Sequence, residues 1–389
     1  MLLLMAAGVP LCFATWQALL NNFAVERAAF TSAEMGILQS IREIPGFLAF
    51  TVVFVLLIMR EQRLALISLL LLGVGTALTG FFPTVIGLYL TTVLMSIGFH
   101  YYETMQTSLA LQWIDKDKAP YMLGRIISVG AFMGLVSYGL VYVTFDWLKL
   151  DFAVVYLLGG GGTVAIALFA WLSFPQFPEK VKQHKHMVLR RRYWLYYALT
   201  FISGARRQIF IVFAGFMMVE KFGYGVAEIS LLFLLNGAIN VVLAPRIGKL
   251  IARWGERRAL TLEYIGLIIV FTAYAFVEDA TAAAVLYVID HLFFAMAIAI
   301  KTYFQKIADP ADIASTAGVA FTISHIAAVV IPAVFGFVYL ISPAAVFLAG
   351  AAMALGSLVL ARNIPRAPGP GNEVLLGKSR PDVAVSPAE

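Results

Sequence analysis

The sequence predicts an all-α membrane protein of twelve transmembrane helices, arranged as two pseudo-symmetric six-helix bundles. Three observations predict it. First, 61% of the 389 residues are hydrophobic and only 13% are charged, with a mean hydropathy of +0.88. Soluble domains carry about 25% charged residues, so the solvent of this chain is lipid. Second, apolar runs longer than 18 residues recur along the whole chain. A helix needs about 20 apolar residues to cross a bilayer, and the weaker alternation of a membrane barrel is missing. Third, the two halves repeat.

Taken in order, the spans are expected at 2–23, 34–59, 64–82, 86–113, 120–145, 152–174, 193–219, 227–252, 259–277, 281–305, 315–341 and 343–361. The first, opening MLLLMAAGVPLCFATW, lacks a basic leader region and reads as a helix rather than a cleaved signal. Span two carries a stripe of Gln39, Arg42, Glu43 and Gly46, with a bend expected at Pro45. Span six contains Gly159–Gly162. No Lys-Ser/Thr follows it, so it reads as a surface for close helix packing rather than a phosphate loop. The only long polar connection is 176–192, QFPEKVKQHKHMVLRRR. The expected organisation is therefore an N-terminal bundle over 1–175, a basic linker over 176–192 and a C-terminal bundle over 193–364. A Pro/Gly/Ser-rich tail over 365–389 is expected to be disordered.

Lys and Arg are lopsided across the spans. One side carries Arg60, Arg63, Lys116, Lys118, Lys180, Lys182, Lys185, Arg190, Arg191, Arg192, Lys249, Arg253, Arg257, Arg258 and Lys306; the other carries Arg27, Lys149 and Lys221. The positive-inside rule makes the rich side cytoplasmic, with both termini there. The net charge of +6 is then a topological signal, and nucleic acid is not expected as a partner. The lone cysteine, Cys12, excludes an internal disulfide and cysteine-based metal or redox motifs.

The repeat is visible in residues. NFAVERAAFTSAEMGIL (22–38) aligns with GFMMVEKFGYGVAEISL (215–231) with a shift of one residue, setting Glu26 against Glu220 and Ala33-Glu34 against Ala227-Glu228. Leu88-Tyr89 likewise aligns with Leu286-Tyr287, and that register sets Glu103 opposite Lys301, each followed by Thr. Such parallel repeats occur in transporters.

The segment GKLIARWGERR (248–258) resembles the signature loop of the major facilitator superfamily, in the pattern Gly-x-Leu-x-Asp-Arg-x-Gly-Arg-Arg. Gly248, Leu250, Arg253, Gly255, Arg257 and Arg258 match it, whereas Ala252 stands where the family usually has Asp. The equivalent loop VFVLLIMREQR (53–63) keeps little beyond its basic residues. The resemblance covers 1–364. It implies a secondary transporter working by alternating access, with substrate bound near the bilayer midplane and spans 1, 4, 7 and 10 lining the cavity. It also implies that Gly248, Arg253, Gly255, Arg257 and Arg258 form a cytoplasmic gate loop; the missing Asp puts that loop's charge network in question.

Charges at membrane depth are costly, and they usually mark function or pair with one another. The deep set here is Arg42 and Glu43 in span two, His100 and Glu103 in span four, and Arg206 and Arg207 in span seven. It continues with Asp290, His291 and Lys301 in span ten and His325 in span eleven. Glu43, Glu103 and Asp290 do not balance Arg42, Arg206, Arg207 and Lys301, and an anionic solute is the simplest remaining partner. Arg206, Arg207, Arg42, His100, His291 and Lys301 are therefore candidates for substrate binding. Glu43, Glu103, Asp290 and His325 are candidates for proton coupling or structural ion pairs. His100 and Glu103, three apart, are expected on one face. Asp290 and Lys301 are expected within about 20° of each other and roughly 16 Å apart along the axis. Arg206 and Arg207 lie about 100° apart, so one is expected to meet solute and the other a carboxylate.

Each site also has a plain structural reading: a helix-bridging ion pair for Arg42–Glu43, a gate pair for Lys301, packing for the three histidines. The histidines lack a metal-site spacing, and no metal or other cofactor is expected. Met95, Met105, Met217 and Met218 read as packing. No Walker motif, catalytic triad or metalloprotease motif occurs, so the chain is not expected to be an enzyme. The leading expectation is a monomeric, proton-coupled carrier of a small anionic or zwitterionic solute in a bacterial inner membrane, its partners being that solute, protons and the bilayer. A proton-coupled multidrug exporter is the alternative, though Leu94 stands where such exporters commonly show arginine. A non-transporting sensor or assembly factor with the same fold is a third possibility.

Overall fold

A computed structural model describes residues 1–114, 119–177, 189–309 and 313–377. Much of the basic linker, including Lys180, Lys182 and Lys185, lies outside the described residues, as do Lys116 and Lys118. Helices dominate: α1 (Leu2–Ala28), α2 (Ser32–Phe47), α3 (Val52–Val55), α4 (Glu61–Thr79), α5 (Val85–Trp113), α6 (Ala119–Asp146), α7 (Phe152–Ser173) and α8 (Trp194–Ile209). They continue with α9 (Gly215–Glu220), α10 (Val226–Trp254), α11 (Glu256–Phe276), α12 (Ala280–Phe294), α13 (Ile298–Ile307), α14 (Ile313–Ile341) and α15 (Pro343–Ala361). A π-helical turn, Phe210–Ala214, joins α8 to α9, and a 3₁₀ turn, Ala295–Ala297, joins α12 to α13.

Among the described residues eleven helical segments are long and apolar enough to cross a membrane. The expected second span, 34–59, is not among them. Its helix α2 ends at Phe47, and a 3₁₀ turn at Ala49–Thr51 and the single turn α3 follow. Pro45 sits inside α2, two residues before its end, where it withholds one amide donor and weakens the last turn. The start of α2 is well defined: Thr31 and Glu34 form a capping box, with the Thr31 amide donating to the Glu34 carboxylate at 2.9 Å.

The chain divides into two compact units. Unit 1 comprises Met1–Gln183, Gly215–Ala238 and Pro332–Leu340; unit 2 comprises His184–Ala214, Ile239–Ile331 and Ile341–Glu389. This differs from a clean division at the linker, because segments of α9, α10 and α14 join the first unit. Local polar contacts hold them there. The Asn22 amide donates to the Tyr224 carbonyl at 2.8 Å, the Ser32 hydroxyl to the Gly336 carbonyl at 3.0 Å, and the Ala333 amide to Ser40 Oγ at 2.9 Å.

Within unit 1, α1 packs on α6 and α7, while α4 packs between α5 and α7. Lipid gives apolar side chains no drive to associate, so close approach depends on small residues. A Cβ on Gly98 would collide with the backbone of Leu72 and Ser68, and one on Gly75 with that of Met95. The glycine run does the same in α7. Gly160 abuts the backbone of Gly73 and Ala77, Gly159 abuts Thr15 and Gly162 abuts Leu11, while Gly161 faces open space.

In unit 2, α11 packs on α15 and α12, and α15 and α13 pack on α8. Rings fill the centre: Phe210 stands edge-on to Phe271 and Tyr274, and Tyr274 lies 5.0 Å from Phe347. The start of the tail is not the free chain its composition suggests. Val374 is buried, Trp194 donates to the Gly377 carbonyl at 3.1 Å, and Tyr303 donates to the Glu373 carbonyl at 2.7 Å. The rest of the tail, 378–389, lies outside the described residues.

Candidate functional site: a buried arginine and two carboxylates

In unit 2 the arginine pair falls in the last turn of α8, immediately before the π turn. The Phe210 amide donates to the carbonyls of both Arg206 and Arg207. The two side chains part as helical geometry requires. Arg206 is fully buried, one of the largest side chains in the core. Its Nη2 donates to Glu263 Oε1 at 3.1 Å, and its guanidinium lies 5.0 Å from the centre of the Tyr264 ring. Arg207 is exposed, with its guanidinium 5.0 Å from the Phe294 ring.

Glu263 is the residue that sequence reasoning misses. The expected span began at 259, which made 263 a span end. The helix instead starts at Glu256, so Glu263 sits two turns inside it and is fully buried. A signal was available: Gly255 has φ 79° and acts alone as the joint between α10 and α11, since glycine tolerates that backbone region without strain.

Asp290 joins this set from α12. It is buried and within electrostatic reach of both Arg206 and Glu263. Asp290 Oδ1, Glu263 Oε2, Arg206 Nη1 and the Tyr264 hydroxyl are all buried without a hydrogen-bond partner among the described residues. One guanidinium thus serves two carboxylates in a medium where each charge needs compensation. His291, next along α12, is half-buried, and its Nδ1 engages the Tyr287 carbonyl at 2.9 Å.

The expected alignment of Asp290 with Lys301 is not found: Asp290 is buried and Lys301 exposed. The 3₁₀ turn at Ala295–Ala297 explains it, because a tighter winding changes the angle accumulated between them. His325 Nδ1 lies 2.9 Å from the Phe321 carbonyl, and its ring lies tilted against that of Phe321, 4.0 Å between centroids.

Unit 1 holds a second charged cluster. Arg42 pairs with Glu43, and its guanidinium lies 5.9 Å from the rings of both Phe13 and Trp16. The Ser96 hydroxyl donates to the Arg42 carbonyl. A Glu43 carboxylate oxygen and a ring nitrogen of His100 lie within 4.8 Å of each other. His100 and Glu103 do not share an environment as expected: His100 is buried and Glu103 exposed. Three residues leave them about 60° apart around the helix, enough at an edge to divide core from surface.

The gate-loop residues are all in unit 2. Arg253 and Arg258 are exposed, and Gly248, Gly255 and Arg257 are half-buried. Where the loop lacks the usual acidic residue, Glu256 accepts from Lys306 at 2.7 Å and ties α11 to α13.

Long apolar helices enclosing paired charge define the class: a multi-pass helical membrane protein. Comparison with known proteins gives the family. The model of the Major Facilitator Superfamily matches residues 1–332. The fold is similar to that of the nucleoside transporter NupG in a mutant form. That match has a TM-score of 0.75 and 16% identity over 92% of this chain and 97% of that one. It is also similar to a bacterial homologue of the human lysosomal transporter Spinster in an inward-facing, occupied conformation. There the TM-score is 0.69, with 15% identity over 92% of this chain and 93% of that one. Comparison by sequence with curated proteins gives no match. The chain belongs to the Major Facilitator Superfamily, and is a secondary transporter of a solute rather than an enzyme.

Proposed function

We propose that the chain carries a small anionic or zwitterionic organic solute, with proton coupling through the Arg206–Glu263–Asp290 set. The carrying observation is the unlike fate of two adjacent arginines. Arg206 is enclosed with two acids, whereas Arg207 is exposed beside it. This division gives Arg207 the solute, since a guanidinium binds carboxylate or phosphate with paired donors. Arg206 keeps the acids. Their set is electrically neutral only with one proton on the acid pair, which makes it a carrier of one proton per cycle. Arg42, held by Glu43 and two rings, adds positive potential in the first unit. The Lys/Arg bias supports an inner-membrane orientation with both termini cytoplasmic.

A thermal-shift panel on purified protein tests the solute class, because a ligand stabilises the state it binds. Carboxylates, phosphate esters and amino acids form one set; neutral nucleosides and lipophilic cations form the other. A charged member of the first set should stabilise the parent protein but not Arg207→Ala. Stabilisation by the second set alone would overturn the reading. With the solute in hand, Asp290→Asn in proteoliposomes should abolish accumulation under an imposed pH gradient yet retain solute exchange. Unchanged accumulation would remove the proton role.

A further inference from the structure

A cavity of about 530 Å³ opens beside the α10–α11 joint in unit 2, lined in part by Arg257, Arg258, Arg362 and Arg366. Arg257 and Arg258 come from the first turn of α11; Arg362 caps α15, and Arg366 follows it in the folded-back tail. None of the four has an ion-pair partner among the described residues. The nearby acid of the joint, Glu256, is buried and engaged by Lys306. Like charge is thus gathered without internal compensation, and Arg362 and Arg366 both act electrostatically on Arg257.

The other wall of the cavity is apolar. Trp254, Leu262 and Ile265 line it and are 44%, 40% and 45% exposed. Leu262 and Ile265 lie three apart, and Ile269, 63% exposed, continues the stripe one turn further along α11. The stripe runs from the arginines into the membrane-spanning part of the helix. A cationic pocket that opens onto a hydrocarbon track matches an amphiphile with an anionic head.

We infer that this pocket binds the headgroup of an anionic phospholipid, with the phosphates on the arginines and an acyl chain along Leu262, Ile265 and Ile269. Guanidinium groups suit phosphate because they offer paired donors in a plane. Four of them fit a two-phosphate head better than a single one. Basic pockets at the ends of membrane helices bind such heads. Phosphate alone shares the head's chemistry but not the stripe, so the two sources are separable.

The full chain, purified in detergent and stripped of lipid, is titrated with cardiolipin, with phosphatidylcholine of matched chains, and with inorganic pyrophosphate. Bound lipid is counted by native mass spectrometry, and thermal shift is read in parallel. Cardiolipin should bind and stabilise, and pyrophosphate should do neither at the same concentration. Arg362→Gln/Arg366→Gln should weaken cardiolipin binding roughly 30-fold, at about 1 kcal/mol for each basic residue. Arg27→Gln/Lys221→Gln, an equal loss of charge elsewhere on the chain, should not. Ile265→Asn should weaken the lipid and leave any pyrophosphate binding unmoved. Equal retention of cardiolipin by the two double variants would overturn the site. Pyrophosphate binding that matches cardiolipin would overturn the lipid assignment.

Discussion

Replacing Arg206 with methionine keeps much of its bulk and removes its charge. The structure sets the cost. Arg206 and Glu263 meet at 3.1 Å with side-chain exposures of 1% and 0%, and Asp290 is buried within reach. Removing one member of a buried pair costs about 3–5 kcal/mol, because the partner is left without compensation. Here two acids are left, so R206M belongs at the upper end. Glu263→Gln is different: Arg206 keeps Asp290 as its counter-ion, and the loss is one charged hydrogen bond, about 1.5–3 kcal/mol. The double variant R206M/E263Q strands only one carboxyl, which protonation neutralises. It should therefore be more stable than R206M alone, which requires a coupling larger than the whole cost of E263Q, about 3 kcal/mol. The assay is reversible unfolding in mixed micelles at increasing SDS mole fraction, applied to all four proteins. Costs for R206M and E263Q that agree within error and sum in the double variant would show the three residues to be independent. The proton-carrying set would then lose its physical basis.

Other expectations follow from packing and pairing. Gly160→Ala should sharply reduce folded yield, and Gly161→Ala, one residue along in open space, should leave yield and melting temperature unchanged; size-exclusion profiles decide it. Gly255→Ala should cost about 1–3 kcal/mol, because the joint has φ 79° and ψ 157°, a backbone region open essentially to glycine alone, and a melting-temperature comparison reads it. Arg42→Lys should fail to replace Arg42, since lysine loses the planar contact with Phe13 and Trp16; solute uptake by R42K should match that of R42A. Arg27→Ala breaks an exposed pair with Asp151 and a contact with the Phe152 ring 5.6 Å away, and should change stability by no more than about 1 kcal/mol, as a melting curve would show.

Hydropathy exposed most spans, because a bilayer imposes one length and one polarity on every crossing; the family resemblance came from the 248–258 loop and the internal repeat. Gly159–Gly162 was also legible as packing, since small residues have few other uses inside a membrane. Span two was legible as apolar but not as a continuous helix: Pro45 announced a bend, and its severity depends on neighbours such as Ser96 that satisfy the disturbed backbone. Arg206 and Arg207 announced a charged core and their own separation. Which one turned inward was set by Glu263, whose depth depended on a boundary set by a single glycine. The pairs expected from regular helical angles fared worst. Asp290 and Lys301 are parted by a 3₁₀ turn that no residue pattern marks, and His100 and Glu103 straddle an edge between core and surface.

The π turn at Phe210–Ala214 has one more consequence. A π turn amounts to one residue inserted into an α-helix, so span seven stores a removable unit of length directly after its arginines. Deleting Ile211 lets the segment wind back to α geometry, with Arg206 and Met218 each keeping its own neighbours. Deleting Leu199 from α8 has no such slack to draw on; it turns the residues before it by about 100° relative to the arginines and all that follows. The helix therefore tolerates lost length on one side of its charges and not on the other.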